Sequence, residues 1–191
     1  MKKRVAKWMG LLLAVCQLIT PAYAGASFPD VPDTAPYAEA VGLMKEYGIF
    51  NGDANGNFNP DSGITRAEFA AIICRTFGGK NEIPTQVEFS FTDVPVNYWA
   101  SGYIGWAINN RIVSGYGDGR YGPNDFVTYE QAIKMTVCAA GYGDAAVDAG
   151  GWPVGYIDVA NRIDMLDGVD ETPGSSMTRA NVALMISNLM R

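Results

Sequence analysis

An all-α fold of three helix-loop-helix units gathered around a shared core is the class this 191-residue sequence predicts, and three observations carry it. Phe28-Pro29-Asp30-Val31-Pro32 recurs 63 positions later as Phe91-Thr92-Asp93-Val94-Pro95. Ile64-Thr65-Arg66-Ala67-Glu68 recurs at the same interval as Val127-Thr128-Tyr129-Glu130-Gln131, and Met177-Thr178-Arg179-Ala180-Asn181 is a third, compressed version. Gly52, Gly115 and Gly168 close the first half of each unit, with Ile49, Ile112 and Met165 ahead of them in register. A unit this short cannot bury its apolar face alone, so the copies must share one core.

The chain opens on a different kind of segment. Lys2, Lys3, Arg4 and Lys7 precede an apolar run from Met9 to Ile19 and then Thr20-Pro21-Ala22-Tyr23-Ala24, the pattern of a secretory signal peptide, residues 1–24, cleaved after an Ala-x-Ala end. The run is shorter than the ~20 residues a spanning helix needs, so no stable membrane insertion is expected after cleavage. Cys16 invites a lipoprotein reading, against which stand the bulky Val15 and the competing Ala-x-Ala site. Cleavage removes four of 14 basic residues and none of the 20 acidic ones, leaving a formal charge of 10 − 20 = −10. A chain so acidic does not bind nucleic acid through bulk electrostatics.

The first unit, 25–84, begins with apolar residues at helical spacing from Tyr37 to Tyr47, stopped by Gly48. Asn51 to Gly63 is loop by its Gly, Asn, Asp and Pro content. A second helix runs from Thr65 through Phe69, Ile72, Ile73 and Phe77 to a glycine stop at Gly78-Gly79. The second unit, 85–146, repeats this as Trp99 to Ile112, a loop from Ser114 to Asp125, and Thr128 to Ala140. The third, 147–191, has Tyr156 to Leu166, a loop three residues shorter, and Thr178 to Met190. Gly79 to Ser90 and Gly143 to Gly151 read as connectors.

Thr65, Thr128 and Thr178 stand where a hydroxyl can accept a first-turn amide, with Glu68 and Gln131 three residues on to complete a capping box and Asn181 serving less well. Arg66 and Arg179 lie at the positive end of a helix dipole, which disfavours a cation, so something else must repay them. One reading is an anion held by first-turn amides and guanidinium together; the others are a solvated arginine or an ion pair with a neighbouring Asp. Trp99 and Trp152 match in register, each followed by Gly and Tyr three and four residues on. A tryptophan at a helix start is expected in packed core first, and as a platform for sugar faces second. Asp30 and Asp93 are expected to cap the chain as it turns into each first helix; as a carboxylate pair they could also serve a glycan hydrolase. Asp53 to Asn59 imitates the start of a calcium loop, but Phe58 and Ile64 replace the required glycine and acid, so it reads as a turn and no metal or cofactor is expected. Cys74 and Cys138 read as two buried thiols. With no histidine in the chain, Ser–His–Asp and Cys–His nucleophilic systems are excluded.

Phe-x-Asp-Val-Pro, the Gly-x-x-x-Gly-x-Phe-x-Pro loop and Ile64-Thr65-Arg66-Ala67-Glu68 together resemble the S-layer homology domain family, and Gly115 to Asn124 matches that family's loop more closely still. The resemblance spans Phe28 to Arg191 as three tandem repeats. It implies a pseudo-threefold helical bundle and a non-catalytic module, exported to the cell surface, that anchors to peptidoglycan-linked secondary cell wall polysaccharide, commonly through a pyruvylated sugar. It implies Arg66 and Arg179 as the contacts to the acidic sugar, with Trp99, Trp152, Gly117 and Gly119 lining the grooves, and other surface proteins as further partners. Tyr129 replaces the arginine of the middle repeat, so at most two competent grooves are expected. The other classes open to this sequence are a wall glycan hydrolase using paired carboxylates and a self-assembling surface-layer or adaptor protein.

Overall fold

The computed structural model describes residues 28–78 and 91–191; the expected signal peptide and the Gly79–Ser90 connector lie outside the described residues. The described residues form seven helices and no β-strand: α1 (Ala38–Glu46), α2 (Arg66–Phe77), α3 (Ser101–Asn109), α4 (Tyr129–Ala139), α5 (Gly143–Asp148), α6 (Val154–Arg162) and α7 (Arg179–Asn188). The second helix of each unit packs on the first helix of the next, α2 on α3, α4 on α6 and α7 on α1, so the three units close into a ring.

Hydrogen bonds at the centre close the same ring. The amide of Val127 donates to Ile64 (2.9 Å), that of Met177 to Val127 (2.9 Å), and that of Ile64 to Met177 (3.1 Å). These side chains are fully buried, so three apolar residues and three mutually satisfied backbone groups meet on the pseudo-threefold axis. Around them Phe58, Phe69, Ile73, Ile104, Tyr121, Ile133 and Met185 fill one continuous core.

Each first helix ends alike. Gly48, Arg111 and Asp164 adopt left-handed φ of 67°, 59° and 55°. The amides of Ile49, Ile112 and Met165 then turn back onto the carbonyls of Met44, Ala107 and Ala160, which drives those three side chains into the core. Only the first unit uses glycine for that step.

Two expectations are corrected here. Gly143 to Gly151 is not a plain connector, because Gly143–Asp148 forms α5, which packs on α4 and α6 and buries Ala146. Ala146 occupies, 53 residues on, the place of Asp93. Asp30 and Asp93 do not cap the first helices, whose N-caps Tyr37 and Ala100 carry no side-chain bond. Instead the Asp30 carboxylate accepts the amides of Phe58 (2.7 Å) and Asn59 (2.6 Å), and Asp93 those of Tyr121 (2.9 Å) and Gly122 (2.8 Å). Each aspartate ties the start of its unit to the end of its loop. Burial works to raise both carboxyls, and the backbone amides outweigh it, leaving both below the ordinary carboxylate range.

Candidate functional site

The polar motif before each second helix builds the junction between units. Thr65 accepts the amide of Glu68 while the Glu68 carboxylate accepts the amide of Thr65, and Thr128 and Gln131 repeat the exchange. Thr178 accepts the amide of Asn181, but Asn181 is too short to reciprocate. The loop supplies the missing acceptor: Glu171 Oε1 takes the amide of Thr178 (3.2 Å) and the side-chain amide of Asn181 (3.1 Å).

Beyond the caps, the first-turn amides cross to the neighbouring unit. Arg66 and Ala67 donate to the carbonyls of Asp125 and Pro123, and Arg179 and Ala180 to those of Ser62 and Pro60. No amide of these turns is left to hold an anion, which removes the helix-terminus component of the expected anion site. Only the guanidinium can meet one.

Both arginines sit in the same setting. Arg66 is 6% exposed; its Nε donates to the carbonyl of Tyr121 (2.9 Å) and its Nη2 to that of Ser114 (3.0 Å), above the rings of Tyr121 and Tyr116. Arg179 is half-buried and repeats this one unit round, with Nε on Phe58 (2.6 Å), Nη2 on Asn51 (3.0 Å) and the rings of Phe58 and Phe50 beneath. Ser114 and Tyr121 are the residues 63 positions after Asn51 and Phe58, so the two clamps are equivalent. Neither arginine is ion-paired among the described residues; backbone carbonyls repay the unfavourable dipole. Burial lowers the Arg179 guanidinium from its ordinary value, against the pull of Glu68, Asp30 and Asp53. On each arginine Nη1 makes no hydrogen bond among the described residues.

Each clamp borders a cavity. Arg66, Ser114, Gly115, Tyr116, Gln131, Lys134, Met135 and Trp152 enclose about 260 Å³. Trp152 is 52% exposed and Trp99 55%, so the packed-core expectation for this pair fails. Trp152 lies 5.6 Å from Lys134 Nζ and edges Tyr156; Trp99 stacks among Tyr98 and Tyr103. The second cavity, about 340 Å³, joins Arg179 to Asn51, Gly52, Asp53, Asn59 and Glu68. Trp99 does not line it, although α3 is placed against α2 as α6 is against α4.

Gly117 and Gly119 line neither cavity. They take φ of 87° and 85° in the turn that Asp118 and Arg120 close by an ion pair, and Gly115 is the loop glycine at the Arg66 cavity. Lys134 and Tyr116 are site residues that sequence reasoning passed over; Lys134 carried a signal, as a cation in the second turn of α4, three residues after Gln131. At the middle junction, Tyr129 takes the arginine's place in the motif and is only partly buried, and beside it Glu130 accepts the amide of Gly174 (2.9 Å).

Asp53 uses its oxygens on the amides of Asn55 and Asn57 and the side chain of Asn59, which suits a turn. Cys74 is buried, but Cys138 is half-buried, against expectation; burial raises its thiol, and neither cysteine is in a disulfide. No helix among the described residues is long and apolar enough to cross a membrane.

Comparison with known proteins bears on what this arrangement serves. The S-layer homology domain model matches two stretches of the chain, residues 27–70 and 90–133. It is 29% identical over its whole length to a cell surface protein of Thermoanaerobacter kivui, of which it covers 24%. It is 32% identical over 85% of its length to the middle cell wall protein of Brevibacillus brevis, covering 15% of that protein. It is 27% identical over 85% of its length to a cellulosome-anchoring protein of Acetivibrio thermocellus, covering 38% of it. The chain thus spans well under half the length of these relatives.

Proposed function

We propose that this chain is an exported, non-catalytic cell-surface module that anchors to cell wall polysaccharide through the cavities between its repeats, and that residues 147–191 are a third S-layer homology repeat beside 25–84 and 85–146. Relatives that are surface, wall and anchoring proteins support the role. One observation carries the site: Arg66 is held rigidly by two carbonyls of the next unit, with Nη1 unspent, beside a half-exposed Trp152. A fixed guanidinium for an acidic substituent and a flat ring for a sugar face are the two parts that recognition of a pyruvylated saccharide needs. Arg179 repeats the first part. Tyr129 does not, and no acidic sugar is bound at that junction.

Sedimentation with isolated cell walls tests this. Arg66→Ala is expected to weaken wall binding by about tenfold or more, the size of one lost charge-assisted contact. Tyr129→Ala should leave it unchanged, and chemical removal of pyruvate ketals from the wall should reproduce the Arg66→Ala loss in the parent protein. Thermal unfolding of each variant separates lost contact from lost fold. Equal wall binding by all proteins on both walls would sink the assignment.

A further inference from the structure

The two arginine cavities share one backbone design and differ in charge. Three residues that line the Arg66 cavity differ in charge from the residues 63 positions earlier: Tyr116 answers to Asp53, Gln131 to Glu68, and Lys134 to Ala71. Every change makes the Arg66 cavity more positive. Its lining holds two cations, Arg66 and Lys134, and no carboxylate; the nearest acid on the loop, Asp125, accepts the Tyr116 hydroxyl at 2.9 Å. The lining of the Arg179 cavity holds one cation with two carboxylates, Asp53 and Glu68. Like charge facing an anion in a confined site is strongly repulsive, enough to separate two otherwise matching cavities.

Resting on the reading above, we propose that the acidic sugar of the polymer is confined to the Arg66 cavity, where Lys134 is a second binding cation, and that the Arg179 cavity takes an uncharged sugar unit. Lys134 sits one turn beyond Gln131 on α4, half-buried, with its ammonium 5.6 Å from the Trp152 ring centre and 6.0 Å from that of Tyr156. A carboxylate entering between Arg66 and Trp152 would meet both cations. In the other cavity Glu68, whose cap bonds use Oε2 and not Oε1, can accept from a sugar hydroxyl, which can donate, and together with the negative Asp53 repels a carboxylate, which cannot. Repeats one and two have therefore kept one scaffold and divided the ligand between them.

The test is a titration of the whole chain, followed by the indole N–H signal of Trp152 and the backbone amide signal of Gly52, which lines the Arg179 cavity, with a methyl hexoside bearing a 4,6-pyruvate ketal and with the methyl ester of that ketal. The acid is expected to shift Trp152 and not Gly52, and the uncharged ester to lose the Trp152 response and to shift Gly52. Lys134→Gln should weaken binding of the acid about tenfold, as one charge-assisted contact does. Glu68→Gln, which copies the cap residue of α4, should add a response of Gly52 to the acid. Equal shifts of Trp152 and Gly52 by the acid, an unchanged affinity in Lys134→Gln, or no response to the acid while the protein still sediments with walls would each overturn the proposal. Loss of wall binding by the parent protein would overturn the anchoring role itself.

Discussion

At the scale of single residues, the arginines show how a sequence argument can find the right atoms for an incomplete reason. The dipole argument marked Arg66 and Arg179 as unusual, which they are, but an anion is not what repays them. Carbonyls on the next unit do, and no pattern within one repeat reveals a partner 48 or 55 positions away. The aspartates invert the same lesson: their place ahead of each first helix suggested a local cap, whereas their bonds reach 28 residues forward. That reach has a measurable consequence. Because Asp30 and Asp93 titrate lower in the folded chain than in the unfolded one, their stabilisation is fully present above the ordinary carboxyl range and is lost as pH falls through the lowered values. The melting temperature should therefore drop as the medium is taken below about pH 4, and Asp93→Asn should flatten part of that slope. At neutral pH Asp93→Ala is expected to cost about 2 kcal/mol in denaturant unfolding, since two loop amides lose a charged acceptor.

Among the elements, all six helices anticipated from periodicity are present, with ends shifted by one to four residues because local turns take over where packing stops. The seventh, α5, was missed because Gly143 and Gly150 bracket it like loop punctuation, and its short run is helical only against α4 and α6. Gly52, Gly115 and Gly168 align in the sequence, yet they are glycine for different reasons. A side-chain carbon on Gly115 would stand 2.5 Å from Phe91 and 2.6 Å from the Arg120 carbonyl, whereas Gly168 has open space and a φ of 72°. Gly115→Ala should accordingly destabilise by about 1–3 kcal/mol through overpacking, read from the shift in denaturant midpoint. It should also loosen the Arg66 cavity, whose wall Gly115 forms.

For the molecule as a whole, the sequence announced three units and a common core, and the ring of Ile64, Val127 and Met177 is where they meet. The difference between the two arginine cavities was equally present in the letters, as Asp, Glu and Ala against Tyr, Gln and Lys, but without coordinates nothing identified those three among the many differing positions as cavity walls. Removing residues 147–191 would strip the axis of Met177, leaving the amide of Ile64 and the carbonyl of Val127 without partners in an apolar centre. Such a two-unit chain should lose its cooperative thermal transition in circular dichroism rather than melt at a lower temperature. The order of packing has one more implication. Two of the three contacts in the ring join units that follow one another along the backbone, while the third, α7 against α1 with Arg191 3.2 Å from Glu39, is sealed by noncovalent forces alone. Arg179 reaches across that seam to Phe58 and Asn51. Under tension the seam is where the closed circle would first part, and a saccharide lodged there would act as a rivet, so the grip on the wall and the mechanical endurance of the fold rise and fall together.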